Sequence, residues 1–114
     1  MASDDMEIWY PPGWNPGYLY LIKLYNLNTC VYEYKFGKTS REPYKRLSEH
    51  GVQNEVIFVM KVNNIDIESQ ILYVLHNDAG VQSARGNEYF LCANEKYITR
   101  LIIHYIDTYD SVKN

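Results

Sequence analysis

The arrangement of hydrophobic and polar positions along this chain predicts its elements. Two runs rich in tyrosine, leucine and isoleucine, residues 17–25 and 30–38, have the composition of strands. The asparagine-containing segment 26–29 between them is typical of a turn, so the two runs predict an antiparallel hairpin. Gly37 follows an aromatic run, where the backbone must turn or let another group approach closely.

The period changes after the hairpin. Pro43 suits the first turn of a helix, which we expect to end at Gly51. Residues 55–62 have strand composition, and residues 66–77 repeat apolar positions at helical spacing, with Asp66 as a candidate cap. This order predicts a third strand followed by a second helix.

The last third of the chain begins with a loop at residues 78–87. Residues 88–92 are short and extended, and Asn94 then caps a long final helix. The element order ββαβα(β)α predicts an α/β protein of the α+β type, in which a small three-stranded antiparallel sheet is flanked by helices.

The length of 114 residues is that of one domain, which we assign to residues 17–114. Residues 1–16 form a leader rich in tryptophan and proline, in which the prolines exclude a helix. Its aromatic side chains either pack against the domain or form an exposed surface for a partner or for bases.

The net charge of −3 argues mildly against a nucleic-acid partner. The charge is uneven, because residues 35–50 contain five lysines and arginines against two glutamates. This local basic patch is compatible with phosphate contact. Three residues of this patch are candidates for contact with phosphates, namely Lys38, Arg41 and Lys45.

Other sequence features narrow the class of protein. The two cysteines lack a CxxC spacing, so we expect free thiols and no zinc site. No apolar run reaches membrane-spanning length, and the acidic N-terminus has no signal-peptide pattern. We expect a soluble intracellular protein, cytoplasmic or nuclear.

Tyr20 and Lys35 are the first candidates for chemistry. Because side chains alternate along strands, a turn near Asn28 places Tyr20 roughly opposite Lys35 or its neighbour. A cation beside a phenol favours the phenolate and makes it a better proton acceptor. The alternative is an ordinary cross-strand surface pair.

Arg46 and His50 lie four residues apart and share one face of the predicted first helix. The arginine fork suits a phosphate oxygen, and the imidazole could bind a phosphate or relay a proton. The alternative is a solvated basic helix end.

Glu88 follows a glycine and an asparagine and leads into an aromatic strand. Such a carboxylate can hold one divalent cation, with waters completing the shell. The alternative is a surface or capping glutamate. We expect Glu68 to be structural, because it precedes an apolar helical face, and we expect the same of His76 and His104.

Together these residues resemble the GIY-YIG nuclease superfamily, in the branch found in phages and large DNA viruses. The motif residues occur in the family's order, namely Gly17-Tyr18-Leu19-Tyr20, Lys35-Phe36-Gly37, Arg46, His50 and Glu88. The resemblance covers residues 17–92. The second tyrosine of the family is replaced here by Lys35, with Tyr34 just before it, and either could fill that role.

The resemblance implies a DNA endonuclease that hydrolyses phosphodiester bonds with Mg²⁺ or Mn²⁺. In that scheme Tyr20 is the general base, Arg46 stabilises the phosphate, Glu88 holds the metal and His50 assists. Lys35 or the auxiliary Tyr34 activates the base. A homodimer would allow both strands to be cut. The alternative is an inactive module of the same fold that binds nucleic acid or protein.

Overall fold

The computed structural model describes residues 13–41 and 54–110. Most of the predicted leader lies outside these residues, and so does the predicted helix beginning at Pro43. Three candidate site residues therefore fall outside the described part of the chain, namely Lys45, Arg46 and His50.

The described residues form an α+β fold with one five-stranded antiparallel sheet and two helices. The strands are β1 (Gly17–Asn26), β2 (Val31–Thr39), β3 (Asn54–Val62), β4 (Gln82–Ser83) and β5 (Tyr89–Leu91). The helices are α1 (Ile67–Asn77) and α2 (Glu95–Tyr109). The strand order is β3-β1-β2-β5-β4. Neither helix is long and apolar enough to cross a membrane.

The predicted count of three strands is wrong for this sheet. The predicted loop 78–87 contains β4, and the extended segment 88–92 contains β5. These strands have only two and three residues, too few for an alternating pattern in the sequence to reveal them. They form because β5 pairs with β2 on one side and with β4 on the other.

The predicted hairpin of β1 and β2 is confirmed, with ends that differ from the prediction by about one residue. Its turn is stabilised by the Asn26 side chain, whose Oδ1 accepts hydrogen bonds from the backbone nitrogens of Asn28 and Thr29. Cys30 completes the turn with a left-handed φ of 61°. The hairpin aligns β1 and β2 over nine residue pairs, which sets the face of every side chain in the site.

The main core lies between the sheet and the two helices. Alternate residues of β1 and β2 supply its sheet side, including Leu19, Leu21 and Phe36. The helices supply apolar residues at helical spacing, namely Ile71, Leu75, Ile98, Ile102 and Ile106. Each fully buried aliphatic or aromatic side chain contributes about 1.5–3 kcal/mol of transfer free energy. The intervening residues of the same strands face the other side of the sheet.

The structure confirms one of the two predicted helix caps and not the other. Asn94 caps α2 as predicted, since its Oδ1 accepts from the backbone nitrogen of Tyr97 at 3.2 Å. Asp66 precedes α1 but makes no side-chain cap bond, so that prediction is wrong. Its carboxylate instead accepts from Asn15 Nδ2 at 3.3 Å and lies 3.5 Å from Lys38 Nζ.

Candidate active site

Tyr20 and Lys35 lie together on the face of the sheet opposite the main core. Tyr20 pairs with Gly37 and Ile22 pairs with Lys35, so the two side chains are diagonal neighbours on one face. Lys35 Nζ donates a hydrogen bond to Tyr20 Oη at 3.0 Å. Tyr20 is 0% exposed and Lys35 is 5% exposed. The proximity predicted from alternation is therefore present, and the contact is a buried ammonium–phenol pair rather than a surface pair.

Gly37 lets the tyrosine ring lie directly on β2. A Cβ at this position would stand 2.5 Å from Tyr20 Oη and 2.6 Å from Tyr20 Cζ, closer than real Cβ contacts allow. The sequence predicted either a turn or a close approach here. The structure has the close approach, within a continuous strand.

Glu88 lies in the turn that precedes β5 and forms a cluster with Tyr20 and Lys35. Its carbonyl accepts from the backbone nitrogen of Phe36 at 3.0 Å, which holds the turn against β2. Glu88 Oε1 lies 3.1 Å from Lys35 Nζ. Burial works against the charge on Lys35, but the contacts with Tyr20 and Glu88 outweigh it and raise the pKa of Lys35 above its usual value. The ammonium therefore links the phenol to the carboxylate.

Glu68 is a member of this cluster that the sequence analysis assigned to a structural role. It lies in the first turn of α1, only 5% exposed, and its Oε2 has no hydrogen-bond partner among the described residues. Burial, together with the charge and hydrogen bonding of Glu88, raises the pKa of Glu68 to about 7, although Lys38 and Lys35 oppose the shift. Glu68 therefore keeps its proton up to near neutral pH, beside the carboxylate of Glu88.

Nothing in the local pattern distinguished Glu68. An acidic residue in the first turn of a helix is ordinary, because it is stabilised by the helix dipole. Only the packing of α1 beside the turn before β5 brings Glu68 to Glu88.

His76 supports the turn that carries Glu88. Its Nε2 lies 2.8 Å from the carbonyl oxygen of Asn87, and its Nδ1 lies 2.5 Å from Ser83 Oγ. Because the carbonyl can only accept, Nε2 donates to Asn87, and the contact of Nδ1 with Ser83 fixes the orientation of the ring. The ring also packs against Phe90, with centroids 4.7 Å apart. The predicted structural role of His76 agrees with these contacts.

The structure does not bring Tyr34 to the cluster. Tyr34 faces the main core on the opposite side of β2, and its hydroxyl donates to Glu95 Oε1 at 3.1 Å. Burial and the neighbouring Glu95 raise the pKa of Tyr34 to about 12. Of the two candidates for the second activating position, only Lys35 contacts Tyr20 among the described residues.

Two of the predicted phosphate-binding residues lie on the exposed end of β2 and just beyond it. Lys38 is exposed and forms a 3.5 Å ion pair with Asp66. Arg41 is also exposed, and its backbone nitrogen donates to Thr39 Oγ1 at 3.0 Å. Exposed ion pairs of this kind contribute little to stability, so Lys38 can exchange its partner for a phosphate.

The cluster contains two carboxyl groups that could bind a metal ion, those of Glu68 and Glu88. Within residues 13–41 and 54–110, no group of three or more histidine, cysteine, aspartate or glutamate side chains could hold a metal ion. Glu68 and Glu88 are two oxygen donors in contact, and one carboxyl oxygen of Glu68 has no described partner. A hard divalent cation that keeps most of its waters needs only one or two carboxylates.

Comparison of the chain with protein-family models, with curated proteins and with solved structures finds no match. The interpretation of the cluster therefore rests on its motifs, geometry and charges.

Proposed function

We propose that this protein is a metal-dependent DNA endonuclease of the GIY-YIG type, which hydrolyses phosphodiester bonds. The observation that carries the proposal is the position of Lys35 Nζ, 3.0 Å from Tyr20 Oη and 3.1 Å from Glu88 Oε1. A binding module has no need of a buried phenol and a buried ammonium in one chain of contacts with a carboxylate. A hydrolase needs a proton acceptor and a group that stabilises its charged form.

Tyr20 is the general base in this proposal. The Lys35 ammonium donates to the phenol oxygen, so it stabilises the phenolate that accepts a proton from the attacking water. Since Tyr20 is fully buried, the groups that cover its hydroxyl have to shift when the DNA strand binds, so that water reaches the phenol oxygen. The register of β1 and β2 holds the phenol and the ammonium together before substrate arrives.

The carboxyl pair suits a divalent cation. Burial and the neighbouring carboxylate of Glu88 keep a proton on Glu68 up to near neutral pH. A cation such as Mg²⁺ or Mn²⁺ would take the place of that proton, and Glu88 and Glu68 would hold it with waters. When bound, the metal ion supplies stabilisation of negative charge on the leaving oxygen.

The remaining roles belong to basic residues. Arg46 stabilises the charge on the phosphate, and His50 serves as an auxiliary base or phosphate donor. Lys38, Arg41 and Lys45 contact the flanking phosphates. These assignments rest on the sequence motifs, because Lys45, Arg46 and His50 lie outside the described residues.

The test is cleavage of supercoiled plasmid and of a panel of branched DNAs with Mn²⁺ or Mg²⁺. We expect nicking by the wild type and a loss of a hundred-fold or more in Tyr20→Phe and in Glu88→Ala, the order of magnitude for a lost acid–base group or electrostatic stabiliser. Asp107→Asn, at an exposed carboxylate on α2, is the matched control and should cut normally.

Metal affinity provides a second readout that is independent of cleavage. By calorimetry, Glu88→Ala and Glu68→Gln should each weaken Mn²⁺ binding, while Asp107→Asn should not. If the folded wild type cuts no DNA with either metal, the enzyme proposal fails. The alternative, a module that binds nucleic acid or protein through the same fold, would then replace it.

A further inference from the structure

Glu33 is a buried carboxylate two residues before Lys35, and therefore on the same face of β2. Its side chain is 4% exposed, and both of its oxygens are occupied. Glu33 Oε1 accepts from Arg85 Nε at 2.8 Å, and Oε2 accepts from Asn26 Nδ2 at 2.8 Å. A buried charge with both oxygens bonded is rigid, so it can hold a partner in one orientation.

Arg85 is the partner that Glu33 holds. Its guanidinium lies over the Tyr89 ring, with Cζ 3.9 Å from the ring centroid. The side chain is nonetheless 55% exposed. Of the five N–H donors of a guanidinium, the contact with Glu33 uses only the one on Nε. The fork is thus oriented by two contacts, while most of its donors have no partner among residues 13–41 and 54–110.

The position of Arg85 relates it to the candidate active site. With residues 86–89, which include Glu88, it lines an open cavity of about 300 Å³. The Tyr89 ring also receives Lys35 Nζ, 5.9 Å from its centroid. The two cations therefore lie no farther apart than the sum of their distances to this ring. Since a DNA strand rises ~3.4 Å per nucleotide, that span is no more than about three nucleotides.

We propose that Arg85 binds a backbone phosphate of the DNA strand. This phosphate lies within about three nucleotides of the phosphodiester bond that is cleaved beside Lys35 and Glu88. Glu33 is the positioning residue that orients the guanidinium, and Tyr89 is the platform beneath it. A preoriented fork binds a phosphate with two parallel hydrogen bonds at little entropic cost. The inference rests on the proposed function for its ligand, a DNA strand.

The experiment measures the affinity of the full chain for a short fluorescein-labelled DNA duplex in EDTA, at several salt concentrations. Arg85→Ala should raise Kd about ten-fold, the usual effect of losing hydrogen bonds to a charged group, and lower the salt slope by about one. Arg100→Ala, at an exposed arginine on α2, is the matched control and should leave both unchanged.

Two further variants separate positioning from folding. Glu33→Ala keeps the charge of Arg85 but frees its side chain, so Kd should rise while the salt slope stays the same. The double variant Glu33→Gln/Arg85→Ala removes both charges, so no carboxylate is left buried without its cation. It should unfold at the temperature of the wild type and still show the smaller salt slope.

Either of two results overturns the inference, namely an unchanged Kd in Arg85→Ala or an equal loss in Arg85→Ala and Arg100→Ala. If the wild type cleaves DNA while Arg85→Ala binds it normally, only this inference fails. If the wild type binds DNA in an Arg85-dependent way but never cleaves it, the proposed nuclease function fails and the inference holds.

Discussion

The phenol ring of Tyr20 lies directly on the backbone of Gly37, with no room for a side chain between them. The contact positions the phenol oxygen beside Lys35 Nζ. A residue with no Cβ inside a strand costs stability, so the close approach explains why glycine occupies this position.

Gly37→Ala should therefore displace the tyrosine ring. We expect a loss of about 1–3 kcal/mol in the free energy of unfolding, as for other overpacked sites, and a large loss of cleavage. Denaturant unfolding and plasmid nicking measure the two effects. Adding Tyr20→Ala removes the clashing ring, so the double variant should lose less stability than the sum of the single variants. Additive losses would contradict the steric explanation.

Glu68 predicts an unusual dependence of stability on pH. Its pKa in the folded protein is about 7, raised from 4.5, so the folded state binds the proton more tightly than the unfolded state. The contribution of Glu68 to the free energy of unfolding is fully present below pH 4.5 and is lost as pH rises through 7. The loss amounts to about 3 kcal/mol at most.

Urea unfolding over a pH series measures this loss. Glu68→Gln cannot ionise, so its stability should not fall between pH 4.5 and 7 beyond what other groups cause. Saturating Mn²⁺ should restore stability to the wild type above pH 7, because a cation binds the ionised carboxylates. Parallel pH curves for the wild type and Glu68→Gln would refute the assignment.

Tyr34→Phe and Tyr20→Phe should affect different properties. Tyr34 bonds to Glu95 on the core side of β2, so its loss should cost about 1 kcal/mol of stability and leave cleavage within about two-fold of wild type. Tyr20→Phe should lose about 10²–10⁴-fold in rate. Single-turnover kinetics and denaturant unfolding compare them. An equal loss of rate in both variants would return Tyr34 to the activating role.

His76→Phe should loosen the turn that carries Glu88. The substitution keeps an aromatic ring against Phe90 but removes the donor to the carbonyl of Asn87. We expect Mn²⁺ affinity and cleavage to fall about ten-fold, the lower end for a lost outer-shell contact. Calorimetry measures the affinity, and His104→Phe on α2 is the control. If Mn²⁺ affinity is unchanged, His76 does not support the site.

The sequence predicted the parts of the fold that depend on local periodicity. Runs rich in tyrosine, leucine and isoleucine predicted β1 and β2, and side-chain alternation with a turn near Asn28 placed Tyr20 beside Lys35. Apolar residues at helical spacing predicted α1. Asn94 was predicted to cap the final helix, and it caps α2. Short β4 and β5 carry no period of their own and depend on pairing with strands distant in sequence.

The site was predicted unevenly for the same reason. The metal-binding role of Glu88 was inferred from the family resemblance. Glu68 was missed because an acidic residue in the first turn of a helix is ordinary. Its proximity to Glu88 is a tertiary contact, across 20 residues of chain. Likewise, no local pattern links Arg85 to Glu33.

The two buried charges of β2 also specify how the sheet is assembled. Glu33 meets the cation of Arg85, and Lys35 meets the carboxylate of Glu88, so a strand with a minus–plus pattern meets a turn with the complementary charges. Sliding β5 by two residues would keep its faces correct but would bring Glu33 to Glu88, where like charges repel. Only two residue pairs join β2 to β5, so backbone pairing alone specifies the register weakly. The charge pairs therefore favour the observed register over the shifted one. A substitution at Glu33 or Glu88 is therefore expected to disturb the pairing of β5 with β2.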